Sequence, residues 1–415
     1  MYIELEQLEE LALEAENELL PVYRELDKTS WINHSKVLAA FQEEKVSDFH
    51  LKSSSGYGYN DMGREILEKL YARIFGAEAA LVRSQIVSGT HAMAICLFGI
   101  LRPGDELVSA TGTPYDTLEE IIGIRGSGGG SLKEFGIAYR QVELLPDGKL
   151  DYEKLKEAVS SQTKCIMLQR SRGYSERPAL TVAQIGELCS FVKQNWPSII
   201  VFVDNCYGEF VETLEPCDVG ADLVAGSLIK NPGGGLAPTG GYIVGRSELV
   251  ELAANRWTAP GIGAEVGPSP DFQRLLYQGL FISPHIVNES LKGAVFTAKL
   301  FERLRFRVFP AAEDYRTDII QAVELGSPEK VIAFCRGIQK ASPVDAHVIP
   351  EPWDMPGYGD QVIMAAGTFV QGASLELTAD APIRRPFIVY LQGGLSRQYV
   401  KLGVLSAAKF VLGLG

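Results

Sequence analysis

An α/β fold, with a mostly parallel sheet flanked by helices and a smaller C-terminal α+β domain, is predicted by three observations. Short β-branched runs alternate with helical stretches from residue 80 to 244, the pattern of parallel strands covered on both faces. The chain has 415 residues, beyond the size at which one hydrophobic core stops growing. Past residue 285 the alternation gives way to shorter strands and Pro-rich turns.

Taken in order, residues 4–45 read as two helices, because apolar positions recur at three- and four-residue spacing in Leu5, Leu8, Leu11 and in Val37, Leu38, Phe41. Residues 1–50 are expected to form an N-terminal helical arm. The loop HLKSSSGYGYNDMG then leads to a helix at 64–75, stopped by Gly76. Strands are expected at 80–83, 106–110, 137–144, 165–169, 199–204, 223–225 and 242–244, with helices at 88–101, 152–159 and 181–195. Together 51–284 make the large domain. A helix at 287–304 opens the small domain, 285–415, and one near 397–412 closes it. The Gly/Ser-rich GSGGGSLKEFG, 126–136, reads equally as a surface loop or as a loop near a site.

Composition narrows the function. Apolar residues make up 46% and charged residues 22%, as in ordinary globular enzymes. A net charge of −13 argues against nucleic acid as a main partner. No apolar run reaches the ~18 residues of a membrane span, and the acidic N-terminus does not read as a signal peptide. The six cysteines form no CxxC pair and read as buried free thiols in a reducing cytoplasm. With five histidines and no HExxH, no metal site is expected.

In parallel sheets, ligands sit at the carboxyl ends of the strands, and four features fall there. SGTHA, 88–92, opens a helix whose unpaired N–H groups at Gly89 and Thr90, with the Ser88 hydroxyl, suit a phosphate; a capped helix without ligand is the plain alternative. Tyr115 follows a strand and suits a ring stack or a core aromatic. Asp204 ends the apolar run IIVFV and suits a counter-ion for a protonated ring nitrogen, or a turn. Lys230 sits between an apolar run and the glycine-rich NPGGGLAPTGG. Partial burial beside other positive charge would lower its pKa and free the amine for imine chemistry; a snorkelling surface lysine is the alternative. Taken together, phosphate cup, aromatic, carboxylate and amine are what pyridoxal 5'-phosphate requires. Neither a Walker motif nor a Rossmann fingerprint is present.

The chain resembles the fold-type I pyridoxal-phosphate enzymes of the cystathionine/methionine lyase superfamily, and within it the methionine γ-lyase-like family known as aluminium-resistance proteins. The matching stretches are GYGYNDMGREILEKLYARIFGAEAALVRSQIVSGTHA, QRSRGYSERPALT, VFVDNCYGEFVE and SLIKNPGGGLAPTGGYIVGR, with YLQGGLSRQYVKLGVL near the end. The resemblance implies that Lys230 carries the cofactor as an imine and Asp204 pairs with its ring nitrogen. It also implies that Gly89, Thr90 and Ser227 bind phosphate and that Tyr115 stacks on the ring. Tyr57 and Tyr59 would reach a neighbouring subunit's phosphate site, which implies at least a homodimer, with a homotetramer the expected assembly. Arg384 and Arg172 are candidates for the substrate carboxylate, and Arg397 is a weaker one. Two positions depart from the lyase pattern: Asp61 stands where the lyases carry an arginine, and Ile229 where they carry a hydroxyl. The implied activity is carbon–sulfur bond cleavage in a sulfur-containing amino acid. An aminotransferase, or a cofactor-binding protein with a non-catalytic stress role, would use the same groups.

Overall fold

The computed structural model describes residues 5–126, 129–269, 271–355 and 358–414. The first four residues of the expected arm and residues 127–128 of the Gly/Ser-rich loop lie outside the described residues. The expected strands β1 (Ala79–Arg83), β2 (Glu106–Ser109), β3 (Ala138–Gln141), β4 (Thr163–Gln169), β5 (Ile200–Asp204), β6 (Leu223–Ser227) and β7 (Gly241–Gly245) form one sheet in the order β1-β7-β6-β5-β4-β2-β3. β3, β2, β4, β5 and β6 pair in parallel, whereas β7 runs antiparallel to both β6 and β1. β3 is shorter than expected because it is an exposed edge strand.

The central strands are apolar throughout because both faces are covered. Ile166, Leu168, Val201, Val203 and Val224 enter one core, and their neighbours Cys165, Met167, Ile200, Phe202, Leu223 and Ala225 enter the core on the opposite face. The cysteines are free thiols, five of them buried. Strands β8 (Arg307–Phe309), β9 (Gln321–Glu324), β10 (Val362–Ala365), β11 (Thr378–Pro382) and β12 (Ile388–Gln392) form an antiparallel sheet in the order β10-β11-β12-β9-β8. Helices Pro328–Lys340 and Arg397–Leu412 supply Phe334, Ile338, Val400 and Val404 to its core.

The helix expected at 287–304 begins far earlier, as Gln273–Arg303, with Pro284 inside it. Proline ordinarily breaks a helix interior, which hides this continuity from the sequence pattern. Its Leu276, Leu280 and Leu291 belong to the core under the large sheet, and its Phe296, Leu300 and Phe301 to the core of the small sheet. The N-terminal helices do the same: Leu8, Ala15 and Leu19 enter the small-sheet core, while Val37 and Ala40 enter the large-sheet core. Both segments therefore stitch the two sheets together. No helix among the described residues is long and apolar enough to cross a membrane.

A polar network lies behind the carboxyl edge of the large sheet. Arg170 follows β4 directly and its side chain is fully buried. It donates to Asn205 Oδ1 at 2.7 Å and to Glu212 Oε2 at 2.8 Å, with Glu215 at 3.6 Å. Glu212 also accepts from the Val182 amide and the Thr317 hydroxyl. Deeper, Glu209 Oε1 accepts from the Tyr242 hydroxyl at 2.7 Å, while Oε2 is buried without a hydrogen-bond partner among the described residues. Gly226 in β6 makes room for this pair, since a Cβ there would come 2.6 Å from the Tyr242 ring and 2.8 Å from Glu209.

Two outcomes follow from the network. Arg170→Ala strands buried carboxylates and should destabilise the fold by about 3–5 kcal/mol, read as a lower denaturant midpoint; an unchanged midpoint would refute the role given to Arg170. Burial pushes the Glu209 carboxyl up to about 8, against the Tyr242 hydrogen bond. The folded state thus holds a proton that the unfolded chain loses above about pH 4.5, and the contribution of Glu209 to stability falls until about pH 8. Glu209→Gln removes that slope. The melting-temperature gap between variant and wild type should widen in the variant's favour from pH 5 to pH 8 and then level off; a pH-independent gap contradicts it.

Candidate functional site

A cavity of about 580 Å³ opens at the carboxyl ends of β4, β5 and β6, within the size range of small-molecule sites. Ser88, Gly89, Thr90, Tyr115, Asp204, Ser227 and Lys230 all line it, as do Arg172 and Arg384. The register explains the convergence: Gln169 of β4 pairs with Asp204 of β5, and Asp204 with Ala225 of β6. Strand-end residues therefore reach the same edge, and Lys230 follows three residues after Ser227.

The helix Gly89–Ile100 begins at this edge. Ser88 caps it, its Oγ accepting from the His91 amide at 3.0 Å. The Gly89 and Thr90 amides in the first turn have no intrahelical acceptor. Gly89 is pressed against β6, since a Cβ there would lie 3.3 Å from Cys206 Sγ and 3.4 Å from Ser227 Cβ. Ser227 Oγ is buried and lacks a hydrogen-bond partner among the described residues. An orphaned hydroxyl beside a helix N-terminus is a fitting place for a phosphate. With Asp204 and Lys230 in the same cavity, the residues present fit pyridoxal phosphate.

Asp204 is buried, and its Oδ1 accepts from the Cys206 amide at 3.1 Å. Burial raises its carboxyl pKa, while the facing Lys230 lowers it. The Lys230 amine lies 3.9 Å from the centre of the Tyr207 ring. The expectation of a depressed lysine is corrected here. Burial alone would lower Lys230, but it faces Cys206, Tyr207, Asp204 and Tyr115 instead of other cations, and the net direction is upward. Burial pushes the Tyr115 hydroxyl well up as well, so it stays protonated. The Tyr115 amide donates to Gln169 Oε1 at 3.2 Å.

The glycines that follow Lys230 serve a close approach of backbones. Gly233 and Gly234 do not line the cavity. A Cβ on Gly233 would lie 1.8 Å from the Leu228 carbonyl, and one on Gly234 would lie 2.4 Å from the Gly279 carbonyl. These glycines let the Lys230 loop nest against the long helix Gln273–Arg303.

Other expected residues separate. Tyr57 and Tyr59 are 71% and 62% exposed, with ring centroids 5.5 Å apart, and do not line the cavity of their own chain. Arg397 lies away from it, over the Tyr23 ring. Arg172 donates to the Phe309 carbonyl at 3.1 Å, and Arg384 pairs with Asp360 at 3.1 Å. The departure at Asp61 has a structural reason: it caps the helix Met62–Ile74, accepting from the Arg64 amide at 2.9 Å. Ile229 lines the cavity. Sequence reasoning missed Tyr207 and Arg177, both inside the motifs quoted above. Arg177 donates to the Gln169 and Ser171 carbonyls, and burial brings its pKa down to about 10. It also missed Asp380 and Tyr390 of the small sheet, which line the same cavity.

Known proteins resemble the chain along nearly its whole length. The chain is 55% identical over 403 residues to the uncharacterized Bacillus subtilis protein YnbB, covering 97% of this chain and 96% of that one. A Listeria monocytogenes structure, named as a proposed cystathionine beta-lyase involved in aluminium resistance, superposes with a TM-score of 0.95 at 53% identity, over 97% of this chain and all of that one. A Clostridium novyi structure, named as a carbon-sulfur lyase involved in aluminium resistance, gives a TM-score of 0.94 at 49% identity, over 97% and 95% of the two chains. The predicted fold-type I architecture, with a smaller antiparallel-sheet domain at the C-terminus, is the one observed. The methionine gamma-lyase family model matches residues 8–412, and the chain belongs to that family.

Proposed function

We propose that the protein is a pyridoxal-phosphate-dependent carbon–sulfur lyase that cleaves a sulfur-bearing amino acid by β- or γ-elimination, releasing a keto acid, ammonia and a thiol. One observation carries this reading: a strand-end carboxyl, a strand-end amine and an orphaned hydroxyl beside a helix start line one cavity. Lys230, Asp204, Ser227, Gly89 and Thr90 would hold the cofactor, which when bound supplies an electron sink at the substrate Cα.

The chain's own groups then divide the work. Asp204 would pair with the ring nitrogen of the bound cofactor and help hold a proton there. That pairing also takes Asp204 away from Lys230, whose amine is then less tightly held as an ammonium and removes the Cα proton. Sulfur on Cβ leaves directly with the bond's electron pair, sulfur on Cγ leaves after a Cβ proton has also been removed, and the Tyr115 hydroxyl gives the departing sulfur a proton. Water then divides the remaining fragment into keto acid and ammonia. Arg172 and Arg384 at the cavity wall offer cations to the substrate carboxylate. The exposed pair Tyr57 and Tyr59 would enter the site of a second copy, making the working unit a homodimer.

The reading is tested with purified protein reconstituted with pyridoxal phosphate. A visible cofactor band should form in wild type and be lost in Lys230→Ala, with thiol release falling by about 10²–10⁴-fold or more. Ser227→Ala should weaken cofactor binding by about 10- to 100-fold, the loss of one hydrogen bond to a charged group. Thiol and keto acid should appear without an amino-group acceptor. Amino transfer with no thiol release would make the protein an aminotransferase, and a protein that takes up no cofactor would end the proposal.

A further inference from the structure

The Lys230 amine rests against a ring that carries no charge. It stands 3.9 Å from the centre of the Tyr207 ring, well within the range of a cation–π contact. Asp204, Cys206, Tyr115, Glu209 and Tyr358 act on the amine through space. Among the described residues none of them closes a hydrogen bond or an ion pair to it. Tyr207 and Lys230 both line the cavity, yet the elimination steps above give Tyr207 no part.

The ring is fixed for this contact from both lobes. Tyr207 holds a φ of 74°, a costly conformation that persists only where the surroundings enforce it. On one side the Gly208 amide donates to the Asn205 carbonyl at 3.0 Å, and on the other the Ile319 amide donates to the Tyr207 carbonyl at 3.3 Å. The side chain packs against Ile320, Ile388 and Tyr390 of the small sheet. Burial pushes the Tyr207 hydroxyl up, so the ring stays neutral. A carboxylate can take the proton of an ammonium that it holds. A ring face attracts the cation but has no site for the proton.

We propose that Tyr207 is the positioning residue for Lys230: its ring face cradles the amine whenever it is free, and holds the ammonium formed when the amine takes the Cα proton. In that step the Nζ–H bond forms as the Cα–H bond breaks, and the electron pair of the broken bond stays with the substrate. With Asp204 engaged by the ring nitrogen of the bound cofactor, Tyr207 is the contact left to the new cation. The inference rests on the lyase reading above in taking Lys230 as the reacting amine.

The test reads Lys230 itself, in the full chain without cofactor. Formaldehyde with cyanoborohydride methylates neutral amines, so the rate at Lys230 at pH 8, followed by peptide mass spectrometry, falls as the ammonium is held more firmly. Tyr207→Phe keeps the ring face and should leave this rate within about 2-fold. Tyr207→Leu should raise it about 10-fold, the loss of one desolvated cation–π contact. Phenylalanine with one, two or three ring fluorines at position 207 keeps the shape while draining negative charge from the face, and the rate should climb with each fluorine. Rates indifferent to fluorination overturn the proposal whatever becomes of Tyr207→Leu. So does a Tyr207→Phe rate that matches Tyr207→Leu, which would assign the effect to the hydroxyl. In the loaded enzyme Tyr207→Leu should lower kcat about 10-fold with KM nearly constant, and Tyr207→Phe should keep the wild-type value; an unchanged kcat in Tyr207→Leu overturns the role in proton removal. Failure of the lyase reading shows separately, as no thiol from any substrate while the methylation series keeps its trend.

Discussion

The site hangs on a guanidinium with no access to water. Arg170 reaches from the end of β4 to Asn205 and Glu212, which lie on the segment following β5. Gly208 is pressed so closely on it that a Cβ would sit 2.6 Å from the guanidinium. Around it Tyr207 and Phe210 adopt positive φ of 74° and 62°, a conformation that non-glycine residues hold only where their surroundings over-determine it. The strained turn points the Tyr207 ring at the Lys230 amine and closes the Cys206 amide on Asp204. The chemistry is thus aimed by a charge that never meets a ligand.

The electrostatic character of the cavity follows from what that turn presents. Lys230 sits among a carboxyl, a thiol and two phenols, and burial pushes the thiol and both phenols upward, away from ionisation. Asp204 is the partner that matters near neutral pH. An anion at Asp204 holds the amine as an ammonium, so the reactivity of the lysine depends on where that carboxylate is engaged. A positively charged neighbour would free the amine directly; here the charge facing it is of the opposite sign.

Much of this was legible because a charge at the end of an apolar strand is conspicuous. Asp204 and Lys230 both stand out that way, and the seven strands of the large sheet follow from runs such as IVFVD and LVAGS. What stayed hidden depends on tertiary closure. Pro284 masked a helix that starts at Gln273, because its lost backbone bond is tolerated inside a packed core. Tyr390 and Asp380 come from another sheet, and no local periodicity links them to Lys230. The side chain of Arg177 turns inward to backbone carbonyls, a direction composition does not encode. The glycines after Lys230 were conspicuous, but not their reason, which is the approach of two backbones.

That approach reaches beyond the lysine loop. A Cβ at Gly279 would fall 2.2 Å from the Gly233 carbonyl, so helix and loop meet with only hydrogen between them. The same helix runs on through both cores. Any side chain introduced at residue 279, far along the chain from Lys230, would displace the loop that carries its amine. In this fold the placement of the lysine is set by contact between main chains, and a helix that looks like scaffolding fixes the loop beside the cavity.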